Sequence, residues 1–381
     1  MAYFDNAATT FPKPQCVYDF MDSFYRSSGG NAGRGNYSLS VSTSKIIKET
    51  RELLKLILHC PQKEVIFEPS ATVSLNVIIQ SLIKTGAKTV YISPFEHNAV
   101  TRTLHFFESQ NKISVHVLSV SSELQYDLKK IQYQFEETAP DLLIISHVSN
   151  VIGLVAPITD ICACAKKYGA KTVVDMAQSA GLVDCNIGLE VFDFAVFAGH
   201  KTLLGPTGIG GFVMNPSIDL PPIIFGGTGT ESANQDMPLS LPERFECGTL
   251  NSIGIAGLNA ALKWIRSQGP NTLLEKELQY RHRLIELLSE YSFINIVGNN
   301  DTCSFTGIVS CTIKGLSSDS AGDVFSSQDI SVRTGLQCAP LAHKTLNTFP
   351  EGTIRFSVNS FNTETDFEKL EKALEYIKRN L

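Results

Sequence analysis

An α/β fold is the class this sequence predicts, with a mainly parallel central sheet in a large domain and a smaller α+β domain at the C-terminal end. Two patterns carry that expectation. From about residue 65 to 215, short apolar runs alternate with amphipathic stretches. Strand and helix in alternation imply a parallel sheet joined by crossover helices. After about residue 251 this rhythm gives way to one long helical stretch and then to strand-like runs closed by a helix. The domain boundaries that follow place residues 15–250 in the large domain and 251–381 in the small one, with 1–14 as an N-terminal segment joining the small domain.

In chain order, the strands of the large sheet are expected at Val65–Phe67, Thr89–Ser93, Ser114–Val120, Leu142–Ser146, Thr172–Asp175, Phe194–Phe197 and Gly210–Met214. Each is a run rich in Val, Ile and Phe, residues that fit a pleated surface. Thr72–Leu82 reads as a helix, and so does Ile161–Tyr168, with Thr159 or Asp160 as N-cap and Gly169 as its stop. A long helix from Ile253 to about Glu290 should break near Gly269-Pro270. Further strands are expected at Ile294–Val297, Gly307–Ile313, Ile330–Arg333 and Thr353–Val358, and Glu364–Arg379 closes the chain as a helix.

Composition narrows the function. The formal net charge is −6, so nucleic acid and anionic membranes are not expected partners. The most apolar stretch, residues 141–158, is interrupted by His147 and Asn150, and so is no candidate for a membrane span. The first ten residues lack a basic region followed by an apolar run, and a cytoplasmic location is the expectation. The nine cysteines are scattered without a CxxC pair, so neither a structural zinc site nor a disulfide framework is expected.

In an open parallel sheet, ligands sit beyond the carboxyl ends of the strands. Polar residues follow strand after strand here: Ser70, Ala71 and Thr72 opening a helix, then Glu96, His97 and Asn98, then His147 to Asn150, then Asp175 and Gln178, then His200 and Lys201. Lys201 lies in a glycine-rich, weakly charged turn between two expected strands. A buried lysine with a lowered pKa is suited to condensing with an aldehyde; the alternative is a surface-loop lysine. Asp175 at the end of a Val-Val strand needs a cationic partner such as a protonated pyridine nitrogen, or else caps the next segment. Gln178 is placed to bond a ring hydroxyl. His97 and His200 are either structural histidines or, in the case of His97, a ring stacked on a cofactor. Ala71 and Thr72 offer amides and a hydroxyl for a phosphate.

Two features lie in the second half. Arg355 sits within an apolar strand, where it wants a carboxylate, either from a substrate or from an internal salt bridge. Cys338 lies in a turn marked by Arg333, Gly335 and Pro340, and is the least core-like cysteine. A nearby cation would favour its thiolate.

With these motifs, the chain resembles the cysteine desulfurases, in the class V branch of the fold-type I pyridoxal-phosphate (PLP) transferases. The matching segments are Phe4-Asp5-Asn6-Ala7-Ala8-Thr9-Thr10, Glu96-His97-Asn98-Ala99, 147–153, 174–179, Gly199-His200-Lys201 with 205–208, 245–249, Arg333-Thr334-Gly335-Leu336-Gln337-Cys338-Ala339 and Ile354-Arg355. The segment ending at Cys338 is similar to the compact-loop, group II type. The resemblance implies conversion of L-cysteine to L-alanine with a persulfide on Cys338, destined for a thiol or an acceptor protein as in iron–sulfur cluster assembly. By the same resemblance Lys201 carries PLP and moves the α-proton, Asp175 pairs with the pyridine nitrogen, Gln178 meets the ring oxygen and His97 stacks on the ring. Ala71, Thr72 and His200 hold the phosphate, and Thr249 reaches the phosphate of a neighbouring subunit in a homodimer. Asn150 and Arg355 orient the substrate, with Arg333, Asn6 and Ala7 beside it; no metal is implied. Ala198, Val73, Ser70 and Gln337 depart from residues common in the family (Ser, Glu, Gly and His respectively). Selenocysteine lyase, with L-selenocysteine as substrate, and class V aminotransferase are the enzyme alternatives on this scaffold. A non-catalytic sulfur-transfer scaffold is the third, against which the presence of both Lys201 and Asp175 argues.

Overall fold

The computed structural model describes residues 1–32, 35 and 37–380. Its large sheet has seven strands, in the order Glu64–Glu68, Gly210–Met214, Phe194–Ala198, Lys171–Asp175, Leu142–Ser146, Thr89–Ile92 and Ser114–Val117. Only Gly210–Met214 runs against the rest. Its reversal follows from its connection: residues 199–209 form a short return from Ala198 to its register partner Gly210, whereas a parallel partner needs a crossover of a dozen residues or more.

The apolar runs are continuous because both faces of the sheet are covered. Phe67, Leu143, Ile145, Val174, Phe197 and Val213 point to one face, against Leu54, Ile161, Leu258 and Leu262. Ile66, Ile144, Val173, Phe194, Val196 and Phe212 point to the other, against Ile78, Leu82 and Val100. Each such aliphatic side chain, fully buried, contributes about 1.5–3 kcal/mol. The helices on this second face are Ala71–Lys84 and Asn98–Glu108.

A second, antiparallel sheet has the order Arg333–Gly335, Thr353–Ser357, Ile308–Ile313, Ile294–Val297. Leu284, Leu288, Phe325, Phe367, Leu370 and Leu374 cover it from helices Pro270–Ser289, Ser318–Ser327 and Glu364–Asn380. The N-terminal strand Ala2–Tyr3 pairs in parallel with Ile330–Ser331.

Some elements differ from expectation. The run expected as one strand, Ile330–Arg333, divides at Val332: Ile330–Ser331 pairs with the N-terminus and Arg333–Gly335 with Thr353–Ser357. The helix expected over Ile161–Tyr168 spans Ile158–Lys166, with Pro157 at the N-cap and no side-chain cap. Ile158 is buried, so core packing starts this helix before Thr159 or Asp160 would have capped it. Helices Gln15–Ser28 and Ser38–Ile57, which the sequence reading passed over, precede the large sheet. The break near Gly269 falls as expected: Ser252–Gln268 and Pro270–Ser289 meet at Gly269, whose φ is +84°. No helix among the described residues is long and apolar enough to cross a membrane.

Candidate active site

Lys201 is held by the return that carries it. Gly199 N–H donates to Ile209 O (3.0 Å) and Gly205 N–H to Gly199 O (2.7 Å), closing the loop, while the Thr10 hydroxyl donates to Lys201 O (2.8 Å). The side chain enters a cavity lined by Thr72, His97, Asn150, Asp175, Gln178 and His200. Burial lowers the Lys201 pKa; Asp175 opposes this and Arg355 adds to it. An amine so placed gives up its proton more readily than an exposed lysine.

Asp175 ends its strand buried, and its Oδ1 accepts from Ala177 N–H (2.9 Å). Gln178, three residues on in the turn that follows, donates from Nε2 to Ala7 O (2.8 Å). His97 is the N-cap of Asn98–Glu108, and its Nδ1 accepts from Ala99 N–H (3.0 Å). That bond leaves the ring proton on Nε2. Burial lowers the pKa of His97, against the pull of Asp175, so the ring is neutral at pH 7.

The turn before His97 is fixed by a buried acid. Glu96 Oε1 accepts from the Ser93 hydroxyl (2.5 Å) and Ser146 N–H (2.6 Å), and Oε2 accepts from the Ser146 hydroxyl (2.9 Å). Burial pushes its pKa up to about 8. It thereby ties the end of one strand to the end of the next, beside Asp175.

Opposite lies the start of helix Ala71–Lys84. Ser70 caps it, its Oγ accepting from Val73 N–H (3.3 Å), and the first intrahelical bond is Ser74 N–H to Ser70 O (3.1 Å). The amides of Ala71 and Thr72 precede that bond, and a helix start of this kind attracts anions. Gly210 lies directly beneath: a Cβ there would stand 2.9 Å from Ala71 N and Ser70 C. Nearby, His200 Nδ1 is buried without a hydrogen-bond partner among the described residues, and burial lowers the His200 pKa to about 4.

Arg355, almost fully buried, donates from Nη1 to Asn150 O (2.8 Å) and from Nη2 to Asp5 Oδ1 (2.8 Å), while its Nε has no partner among the described residues. Asn150 in turn donates from Nδ2 to Gln337 O (2.7 Å). The next residue, Cys338, is exposed, and Asn98 N–H donates to its carbonyl (2.7 Å). Gln337 and Cys338 adopt φ of +40° and +57°, a left-handed backbone that costs a non-glycine residue about 1 kcal/mol or more. Cys338 lines a cleft of about 550 Å³ with Arg102, Phe106, Thr72 and His97. Thr72, His97 and Ala99 line both this cleft and the Lys201 cavity.

A buried amine, an aspartate, a neutral imidazole and an exposed thiol thus meet at one sheet edge. Comparison with known proteins agrees along the whole chain. Residues 2–370 match the family model described as aminotransferase class-V. The chain belongs to that family. A probable cysteine desulfurase of Pyrococcus abyssi is 30% identical over 392 residues, covering 100% of this chain and 94% of that protein. A cysteine desulfurase of Escherichia coli O157:H7 is 28% identical over 390 residues, with 100% and 94% covered. An apo cysteine desulfurase structure from Thermococcus onnurineus NA1 superposes with a TM-score of 0.90 at 28% identity, covering 100% of this chain and 95% of that one.

Within this class V chain, the expected residues Ala71, Thr72, His97, Asn150, Asp175, Gln178, His200 and Lys201 line one cavity. Arg355 joins them through Asn150 and Cys338 through the adjoining cleft. Others are placed elsewhere. The Asn6 side chain donates to Ser357 O (2.8 Å) and accepts from Asn359 Nδ2 (2.9 Å), so its amide is engaged in holding the N-terminal segment. Ala7 N–H donates to the Ser357 hydroxyl (2.9 Å), and the Ala7 carbonyl accepts from Gln178 of the site. Arg333 is exposed, opposite Arg355 in register. Thr249 is exposed in a different cleft, with Lys48, Arg51 and Thr228. Of the two partners weighed for Arg355, the internal salt bridge is present, to Asp5. Sequence reasoning gave no role to Asp5, Glu96 or His343, although Glu96 follows a strand end and Asp5 and Glu96 both lie in segments that carry the family resemblance.

Proposed function

We propose that this chain is a PLP-dependent cysteine desulfurase, releasing L-alanine from L-cysteine and leaving the sulfur as a persulfide on Cys338. The observation that carries the reading is the pair of adjoining cavities, one holding Lys201 and Asp175 and the other Cys338, with His97 and Thr72 lining both. The donor set suits PLP: an amine for its aldehyde, Asp175 for its pyridine nitrogen, and for its phosphate the free amides of Ala71 and Thr72 with the unpartnered His200 Nδ1. When bound, PLP supplies an electron sink for the α-carbon of an amino acid.

The chain's own groups do the rest. Arg355 and Asn150 orient the substrate carboxylate. Lys201 Nζ takes the α-proton. The Cys338 thiolate attacks the substrate sulfur: the substrate C–S bond breaks as the S–S bond forms, the carbon it leaves takes a proton, and Lys201 returns a proton to the α-carbon, which gives alanine. Neutral His97, with its proton on Nε2, stands between the two cavities to pass protons. Thr249 lines a cleft other than the Lys201 cavity, and its proposed role, taken from the family resemblance, is to reach the phosphate of a neighbouring subunit in a homodimer. We also propose the division into residues 1–14, 15–250 and 251–381, and a thiol or acceptor protein as the destination of the sulfur. The test is alanine and sulfide release from cysteine and a reductant. The wild type should form both; Cys338→Ala should form no alanine yet keep the cofactor absorbance. Unchanged turnover in that variant removes Cys338 from the reaction.

A further inference from the structure

Behind the exposed thiol lies a buried polar chain. His343 is fully buried, its Nε2 is 2.8 Å from Gln337 Oε1 and its Nδ1 is 2.7 Å from the Thr348 hydroxyl. The orientation of the Gln337 amide is fixed from the other side: its Nε2 donates to Thr353 O (2.9 Å), and the Thr353 hydroxyl donates to its Oε1 (3.2 Å). Oε1 is therefore the acceptor, so His343 carries its proton on Nε2 and accepts from Thr348 at Nδ1. Burial lowers the His343 pKa to about 4, which keeps the ring in this neutral form.

This chain acts on two consecutive non-glycine residues in the left-handed region, Gln337 and Cys338. Such a backbone persists only where its surroundings enforce it. From the front, Asn150 Nδ2 holds the Gln337 carbonyl and Asn98 N–H holds the Cys338 carbonyl. From behind, the Gln337 side chain is held through Thr353 and His343.

We propose that His343 is a positioning residue for Cys338: by fixing the Gln337 side chain it keeps the Gln337–Cys338 backbone left-handed and presents the thiol to the cleft beside His97. The role rests on the desulfurase reading for its catalytic consequence, but not for its structural one. It concerns Gln337, the residue that precedes the cysteine.

The test uses His343→Leu, which removes both bonds at similar volume, with His343→Gln as the variant that restores a donor. Three quantities are read on the cofactor-loaded enzyme: kcat and KM for cysteine, and the rate at which iodoacetamide alkylates Cys338, followed by peptide mass. In His343→Leu, kcat should fall about tenfold, with KM changed less than about twofold. Alkylation of Cys338 should change severalfold, bound cofactor should stay at the wild-type level, and His343→Gln should recover most of both rates. Wild-type rates in His343→Leu overturn the proposal, and so does a loss of kcat that only follows lost cofactor. If His343→Leu does not fold, Gln337→Met removes the same link from the other side and is judged by the same readouts. If the wild type forms no alanine from cysteine, the desulfurase reading falls, and the alkylation rates alone decide the role of His343.

Discussion

At the scale of single residues, the site works because burial sets protonation. Lys201 and His97 are both pushed toward their neutral forms, and a neutral amine and a neutral imidazole are the forms that accept protons. The same physics raises buried acids. Glu277 lies under the site in the cavity that Gln178 also lines, its Oε1 accepts from Gly307 N–H (2.7 Å), and burial pushes its pKa up to about 7. A carboxyl whose folded pKa lies above its unfolded value favours the folded state in the protonated form. Its contribution is complete below the unfolded pKa of ~4.3 and is lost as pH rises through about 7. Glu277→Gln keeps the acceptor and removes the ionisation. Its Tm should match the wild type near pH 4 and exceed it at pH 8, by several degrees. Parallel Tm curves for the two proteins across that range would show that Glu277 does not titrate in the folded state.

At the scale of elements, the positions that matter are ends and returns. The buried strands were legible in the sequence because they are continuous runs of Val, Ile and Phe, and Leu142–Ser146 and Gly210–Met214 have the expected bounds. The split at Val332 was not legible, because the two halves pair with different partners, the first with the far N-terminal strand Ala2–Tyr3 and the second with Thr353–Ser357. The start of helix Ala71–Lys84 depends on a similar distant contact, with Gly210 of the reversed strand. Gly210→Ala would place a Cβ 2.9 Å from Ala71 N and Ser70 C and 3.0 Å from Phe197 O, all backbone atoms that cannot swing away. The helix start must then shift, so PLP affinity should fall about tenfold or more, and Tm should drop. Wild-type affinity by titration of the apo-protein would mean that the helix start takes no part in holding the phosphate.

At the scale of the whole molecule, one N-terminal residue ties the two sheets' chemistry together. Asp5 pairs with Arg355 from the antiparallel sheet, and Arg355 reaches Asn150 beyond the large sheet. The sequence marked Arg355 as wanting a carboxylate but not which one, since the two residues are 350 positions apart. Lys201, Asp175 and Cys338 were legible for a different reason: a lysine in a glycine-rich return, an acid ending an apolar strand and a cysteine in a turn are each out of keeping with their surroundings. Glu96 and His343 do their work inside buried networks, where sequence alone does not distinguish them from ordinary polar residues. The central claim, that the substrate's sulfur is handed to the exposed thiol beside the lysine cavity, is tested most directly by the mass of the peptide containing Cys338. It is measured after the holoenzyme meets cysteine without reductant. That peptide should gain one sulfur atom for each alanine formed in the first turnover; alanine released while the peptide mass stays unchanged would contradict the account.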